Sequence, residues 1–128
     1  MKVTDLMLGD WVLCDGKPYQ VAEISAGLLC IDAERELFAN PEDVKPIPLT
    51  PEILEKNGWK VYPAITFLRF NDRYELEYDC ECHTLEIFAT AEDREKLAKS
   101  IFLSYNIQFV HELQHALRDC GIEKEIVL

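Results

Sequence analysis

I-Q-F-V-H-E-L-Q-H-A-L-R-D-C-G, residues 107–121, is the stretch on which the reading of this chain turns. Its apolar residues recur at helical spacing. Ser104 and Asn106 are both suitable N-caps ahead of it, and Gly121 is a natural stop behind it. With Phe109 set at 0° and about 100° per residue, Val110, Leu113, Ala116, Leu117 and Cys120 gather on an arc centred near about 40°. This predicts one amphipathic helix, over about residues 107–120, that lays Leu113 and Leu117 on a sheet.

Inside that helix lies His111-Glu-Leu-Gln-His115. Two imidazoles one turn apart with a Glu beside the first form the arrangement that zinc hydrolases use, the His pair as ligands and the Glu as general base. On the same wheel His111 and His115 fall near about 200° and 240°, opposite the apolar arc, where no dry cavity can form around a metal. A third ligand is also missing. Arg118 stands where the extended signature requires Gly, and Gly121 where it requires His. Downstream only Asp119, Glu123 and Glu125 follow, and His83 lies far upstream. The favoured reading is therefore a solvated helix face with no catalytic residue, metal or cofactor. The competing reading keeps His111 and His115 as zinc ligands and Glu112 as the base.

With 128 residues, 48% of them hydrophobic and 29% charged, the chain is an ordinary globular one. Its net charge is −11, from 24 acidic against 13 basic residues, and the acid is spread along the whole length. Phosphate backbones and anionic membranes are bound by clustered Lys and Arg, so neither nucleic acid nor a membrane is expected as a partner. The N-terminus lacks the basic region and long apolar core of a secretory signal. Five cysteines in no scaffold spacing suit a reducing compartment, and the cytoplasm is the expected location.

Residues 1–48 read as short strands: Trp11 to Cys14, a turn at Asp15-Gly16, Pro18 to Ser25, a turn at Ala26-Gly27, Leu28 to Asp32, and Glu36 to Ala39. Leu8-Gly-Asp-Trp-Val-Leu followed by Gly16-Lys-Pro-Tyr-Gln-Val resembles the first hairpin of SH3-like barrels. Pro46-Ile-Pro-Leu-Thr-Pro51 is a connector expected to lie outside any sheet or helix. After it, Thr50 caps a short helix that starts with Pro51 and stops at Gly58, with Trp59 anchoring the turn.

Residues 61–90 predict antiparallel strands, Ala64 to Phe70 and Tyr74 to Cys82, with a change of phase near Thr84 after which Leu85, Ile87 and Ala89 take over. Alternation puts Tyr74, Leu76, Tyr78, Cys80 and Cys82 on a buried face. Glu75, Glu77, Asp79, Glu81 and His83 then share the wet one. Cys80-Glu-Cys-His83 is accordingly read as strand, not as a metal site. Thr90 opens a short charged helix, Ile101 to Tyr105 is read as a strand, and Glu123 to Val127 as an edge strand.

Three segments together resemble a family of small uncharacterised proteins of Bacteroides-type bacteria and their mobile elements. They are Leu6 to Val12 (L-x-x-G-D-W-V), Lys45 to Trp59 (K-P-I-P-L-T-P-E-I-L-E-K-N-G-W), and Val110 to Ile122 (V-H-E-L-Q-H-A-L-R-D-C-G-I). The resemblance implies no established activity, substrate or cofactor. It also implies a tail in which Asn or His follows V-H-x-L-Q, which does not suit an obligate zinc ligand at His115.

The expectation is thus an α+β protein: an N-terminal SH3-like small β-barrel, residues 1–48, followed by an antiparallel sheet packed against a C-terminal helix, residues 49–128. The favoured function is a non-enzymatic protein-interaction or accessory module with a protein partner. Its candidate surfaces are His111, Glu112, His115 and Arg118 on the helix and Glu75, Glu77 and Glu81 on the strand. Two alternatives stand beside it: the metal-dependent hydrolase, and an acidic DNA mimic or inhibitor that occupies a basic protein.

Overall fold

Two dipeptides shape the first part of the chain. Asp15-Gly16 (φ 51° and 75°) and Ala26-Gly27 (φ 50° and 79°) hold both residues in the left-handed region, the geometry of two-residue turns whose twist matches that of paired strands. The first joins β1 (Trp11–Cys14) to β2 (Lys17–Gln20), and the second joins β3 (Glu23–Ser25) to β4 (Leu28–Asp32). β5 (Leu37–Ala39) pairs with β4. A 3-10 turn over Pro41–Asp43 then leads into β6 (Val44–Pro46), which returns antiparallel to β1. The result is two three-stranded sheets, ordered β2-β1-β6 and β3-β4-β5.

The run expected as one strand from Pro18 to Ser25 is divided at Val21-Ala22. Val21 N–H donates to the Asp10 carbonyl (2.9 Å), whereas Ala22 N–H donates to the Cys30 carbonyl (2.7 Å). Successive amides thus bond to opposite neighbours, and the chain passes from one sheet into the other. Leu6, Val12, Val21, Leu29, Ile31, Ala39 and Val44 form a single buried cluster drawn from both sheets. The connector departs from expectation as well, because Val44–Pro46 is a strand. It lies at the edge of its sheet, where a proline removes no needed ladder bond.

The computed structural model describes residues 1–61, 67–71, 75–88 and 101–128. The chain divides into two compact units, Met1–Pro48 with Phe109–Gln114 and Leu49–Gln108 with His115–Leu128. The C-terminal helix, expected to lie wholly with the later residues, contributes its first half to the first unit. Ala64, Tyr74, Ala89 and the helix expected after Thr90 lie outside the described residues.

In the second unit Thr50 Oγ1 accepts from Ile53 N–H (3.3 Å) and Pro51 occupies the first turn of α1 (Pro51–Lys56). Leu54 and Trp59 are buried, and Trp59 N–H donates to the Leu54 carbonyl (3.0 Å), so the indole follows directly from the helix stop. β7 (Lys60–Val61), β8 (Phe67–Asn71), β9 (Glu75–Asp79), β10 (Thr84–Phe88) and β11 (Ile101–Asn106) form one antiparallel sheet in the order β11-β10-β9-β8-β7. Leu76 and Tyr78 stand opposite Ile87 and Leu85, and all four are buried, which gives the sheet one apolar face.

Cys80 to His83 are not strand. They form the turn between β9 and β10, with His83 at φ 57°, and Asp79 Oδ1 accepts from Glu81 N–H (2.9 Å) and Cys82 N–H (3.2 Å). This turn accounts for the change of phase near Thr84, and it leaves Cys80 half-buried and Cys82 exposed, not in the core. Ser104 and Asn106 belong to β11, so they do not cap α2 (Val110–Asp119), which starts later than expected. Among the described residues the strand pairings are antiparallel and the α-helices are short, so the class is α+β. Among the described residues no helix is long and apolar enough to cross a membrane.

The segment from Glu123 to Val127, expected as an edge strand, forms no strand. Its place is held by Asn57 at the end of α1, which is 5% exposed. The Asn57 side chain accepts from Val127 N–H (2.8 Å) and donates to the Val127 carbonyl (2.8 Å) and the Ile53 carbonyl (2.7 Å), so one amide group imitates a strand partner. Asn57→Ala removes three buried bonds and should lower unfolding free energy by about 2–3 kcal/mol in urea titration. Carboxypeptidase should then trim the variant's tail faster than the parent's.

Candidate functional site

The residues of the zinc-like motif divide between several structural tasks. Glu112 sits at the third position of α2, and its Oε1 accepts from the Phe109 N–H (3.0 Å), the return half of a capping box. His111 was expected to face solvent; it is 7% exposed, with its ring stacked on Phe109 at 6.0 Å between centroids. Gln114 is 8% exposed. Its Nε2 donates to the Gly9 carbonyl (2.9 Å) and its Oε1 accepts from the Trp11 N–H (2.9 Å), so one side chain clasps the backbone at both ends of the Gly9–Trp11 turn. The buried arc of the helix is consequently wider than its apolar residues alone. It takes in two polar positions because the first unit supplies backbone groups and an aromatic ring to meet them.

His115 is half-exposed, and Arg118 is exposed in the last helical turn, where a cation suits the helix dipole. Glu75 and Glu77 are half-exposed on β9, and Glu81 is exposed in the turn that follows. His111 and Glu112 therefore belong to the first unit, and His115, Arg118, Glu75, Glu77 and Glu81 to the second. Among the described residues no group of three or more His, Cys, Asp or Glu side chains is arranged to hold a metal ion.

Burial and the neighbouring Asp15 and Asp43 carboxylates push the Cys14 thiol up from its ordinary value. Burial with Asp79, Glu52 and Glu81 does the same at Cys80, and burial with Asp119 at Cys120. At Cys82 the Asp79 carboxylate is the chief cause. A raised thiol is protonated at neutral pH and a poor nucleophile, which is the reverse of what covalent catalysis requires.

The first unit holds a cleft of about 410 Å³ that no motif announces. Its lining is Cys14, Asp15, Tyr19, Ile31, Leu37, Phe38, Ala39, Asn40 and Asp43. Ile31 and Ala39 belong to the buried cluster, and Cys14 and Tyr19 pack against it, so the floor of the cleft is the core itself. Phe38 is 53% exposed and Leu37 38% exposed. The β1–β2 turn supplies Asp15 and the 3-10 turn supplies Asp43. One sequence signal does point here. Leu37 and Phe38 are adjacent in a three-residue strand, and a period of two cannot bury both.

No family model matches the chain, and neither does any curated protein or solved structure.

Gln114→Ala should cost about 1–3 kcal/mol, because it removes the side-chain partner of the Trp11 N–H and leaves the Gly9 carbonyl to Gln20, whereas Glu112→Ala should cost about 0.5–2 kcal/mol for the lost cap. His111→Ala should destabilise more than His115→Ala in the same urea titrations, in keeping with their burial. Iodoacetamide should label Cys82 slowly at pH 7, and the rate should climb about tenfold per pH unit up to and beyond the ordinary thiol range.

Proposed function

We propose that the protein is a non-enzymatic interaction module that receives a protein partner in the cleft of its first unit. The observation that carries this reading is an exposed aromatic and an exposed leucine, Phe38 and Leu37, standing beside a ready-formed cleft whose floor is the core. Large apolar side chains left in water around a concavity are the usual mark of a binding surface. The helix motif supports the same reading from the other side. Glu112 is engaged with the Phe109 N–H, and His111 is packed on the Phe109 ring, tasks that belong to the fold and not to hydrolysis.

We further read the first unit as an SH3-like barrel. In support, β6 returns to β1 after a 3-10 turn, and the β2–β3 segment bends from one sheet into the other. In this reading the sheet of the second unit packs against the C-terminal half of α2. We place the protein in the cytoplasm, a setting consistent with five free thiols. The resemblance to small proteins of Bacteroides-type bacteria and their mobile elements remains part of the proposal. Inhibition of a basic protein is the second reading, favoured by the four basic against nine acidic residues of Met1 to Pro48.

The test is site-directed photocrosslinking in the producing cells, with benzoylphenylalanine at position 38 and, as a control, at Val127, which is also exposed. A discrete protein adduct from position 38 and none from 127 is expected. Equal labelling at both positions, or none at 38, would refute the assignment. Elemental analysis of the purified protein should also find no stoichiometric zinc. About one zinc per chain, lost on His115→Ala, would restore the hydrolase reading.

A further inference from the structure

The geometry points to a specific occupant: a cationic side chain, Arg or Lys, of an extended partner segment, seated in the cleft with its charge between Asp15 and Asp43 and its aliphatic stem against Tyr19 and Phe38. This rests on the interaction-module reading and specifies its ligand.

Three features converge on a cation. The two carboxylates enter the cleft from different turns, the β1–β2 hairpin and the 3-10 turn, and the β1–β6 register brings them to neighbouring positions at one end of the sheet. Among the described residues no ion pair holds either carboxylate, whereas Arg35 is held by Asp32 (3.7 Å). Both raise the thiol of Cys14 inside the cleft, so their charge is felt at its floor. The same cleft is lined by a half-buried Tyr19 and an exposed Phe38. Arg and Lys carry a long apolar stem and a charged head, and they match such a surface better than a purely apolar or an acidic side chain. A charge held partly out of water also interacts more strongly with its counter-charges than one on an open surface.

The test is isothermal titration of the intact protein with a blocked peptide of alternating arginine and leucine. The comparison peptide has each arginine replaced by citrulline, which keeps the shape and removes the charge. The arginine peptide is expected to bind at least tenfold more tightly than the citrulline peptide and to weaken as salt is raised. The double variant Asp15→Asn, Asp43→Asn should lose at least tenfold in affinity. Glu23→Gln with Glu34→Gln, the same change in net charge elsewhere in the unit, should lose less than twofold.

Equal losses in the two double variants would mean general charge attraction and would overturn the cleft assignment. Equal binding of the two peptides, abolished by Phe38→Ala, would overturn the cation while leaving the interaction module intact. Failure of the arginine peptide to bind at millimolar concentration would also overturn the inference, and the crosslink from position 38 would then decide the broader reading separately.

Discussion

The amide of Gln114, bound at one end to the Gly9 carbonyl and at the other to the Trp11 N–H, is the interaction on which the first unit depends. The Gly9–Trp11 turn lies where β1, the central strand of its sheet, begins. Gly9 N–H donates to the Val21 carbonyl (2.7 Å) and the Asp10 carbonyl accepts from Val21 N–H (2.9 Å), so the glutamine completes a turn already paired on one side, and a buried polar group left unmet costs about as much as several surface contacts gain. Asp10, fully buried in the same turn, closes the other side by accepting from Met7 N–H (2.7 Å). Gln20 adds a second side-chain donor to the Gly9 carbonyl (3.1 Å). A glutamine on a buried helix face is thus not an anomaly, because the fold provides one partner for each end of its amide.

The same contact explains why a sequence that reads like a hydrolase motif is retained without a metal cluster among the described residues. H-E-L-Q-H packs a ring on Phe109 through His111, caps the helix through Glu112, buries Leu113 and clasps the turn through Gln114. Four consecutive residues are occupied by the fold. The functional proposal rests instead on the cleft, where Phe38, Leu37 and two carboxylates face water.

Much of the architecture was readable from local chemistry. Asp15-Gly16 and Ala26-Gly27 identify both hairpins because so few dipeptides accept two left-handed residues. Thr50-Pro51 opens α1 because a hydroxyl cap and a fixed φ act within one turn. Leu76, Tyr78, Leu85 and Ile87 declare the apolar face by alternation. What could not be read depends on partners distant in sequence. His111 looks solvated on a helical wheel because the wheel counts Phe109 as helix, whereas the helix starts at Val110 and the Phe109 ring stacks on His111, and because it does not contain the backbone of the first unit. Val127 looks like strand from its apolar, β-branched sequence, yet its backbone partner is one side chain, Asn57. Cys80 and Cys82 look buried because alternation continues past Asp79, and only the Asx turn ends it. The cleft was least readable, since it is assembled from two turns and four strands with no shared motif beyond the crowded Leu37-Phe38 pair.

The most direct measurement of the central claim is native-state hydrogen exchange at the Trp11 amide in the parent protein and in Gln114→Ala. If the glutamine clasps the turn, the parent amide exchanges only through an opening as costly as that for the neighbouring Val12, and the variant's Trp11 amide exchanges through a far cheaper local opening while Val12 stays protected relative to it. A Trp11 amide that exchanges at the rate of an open loop in the parent, or one unaffected by loss of Gln114, would contradict the account.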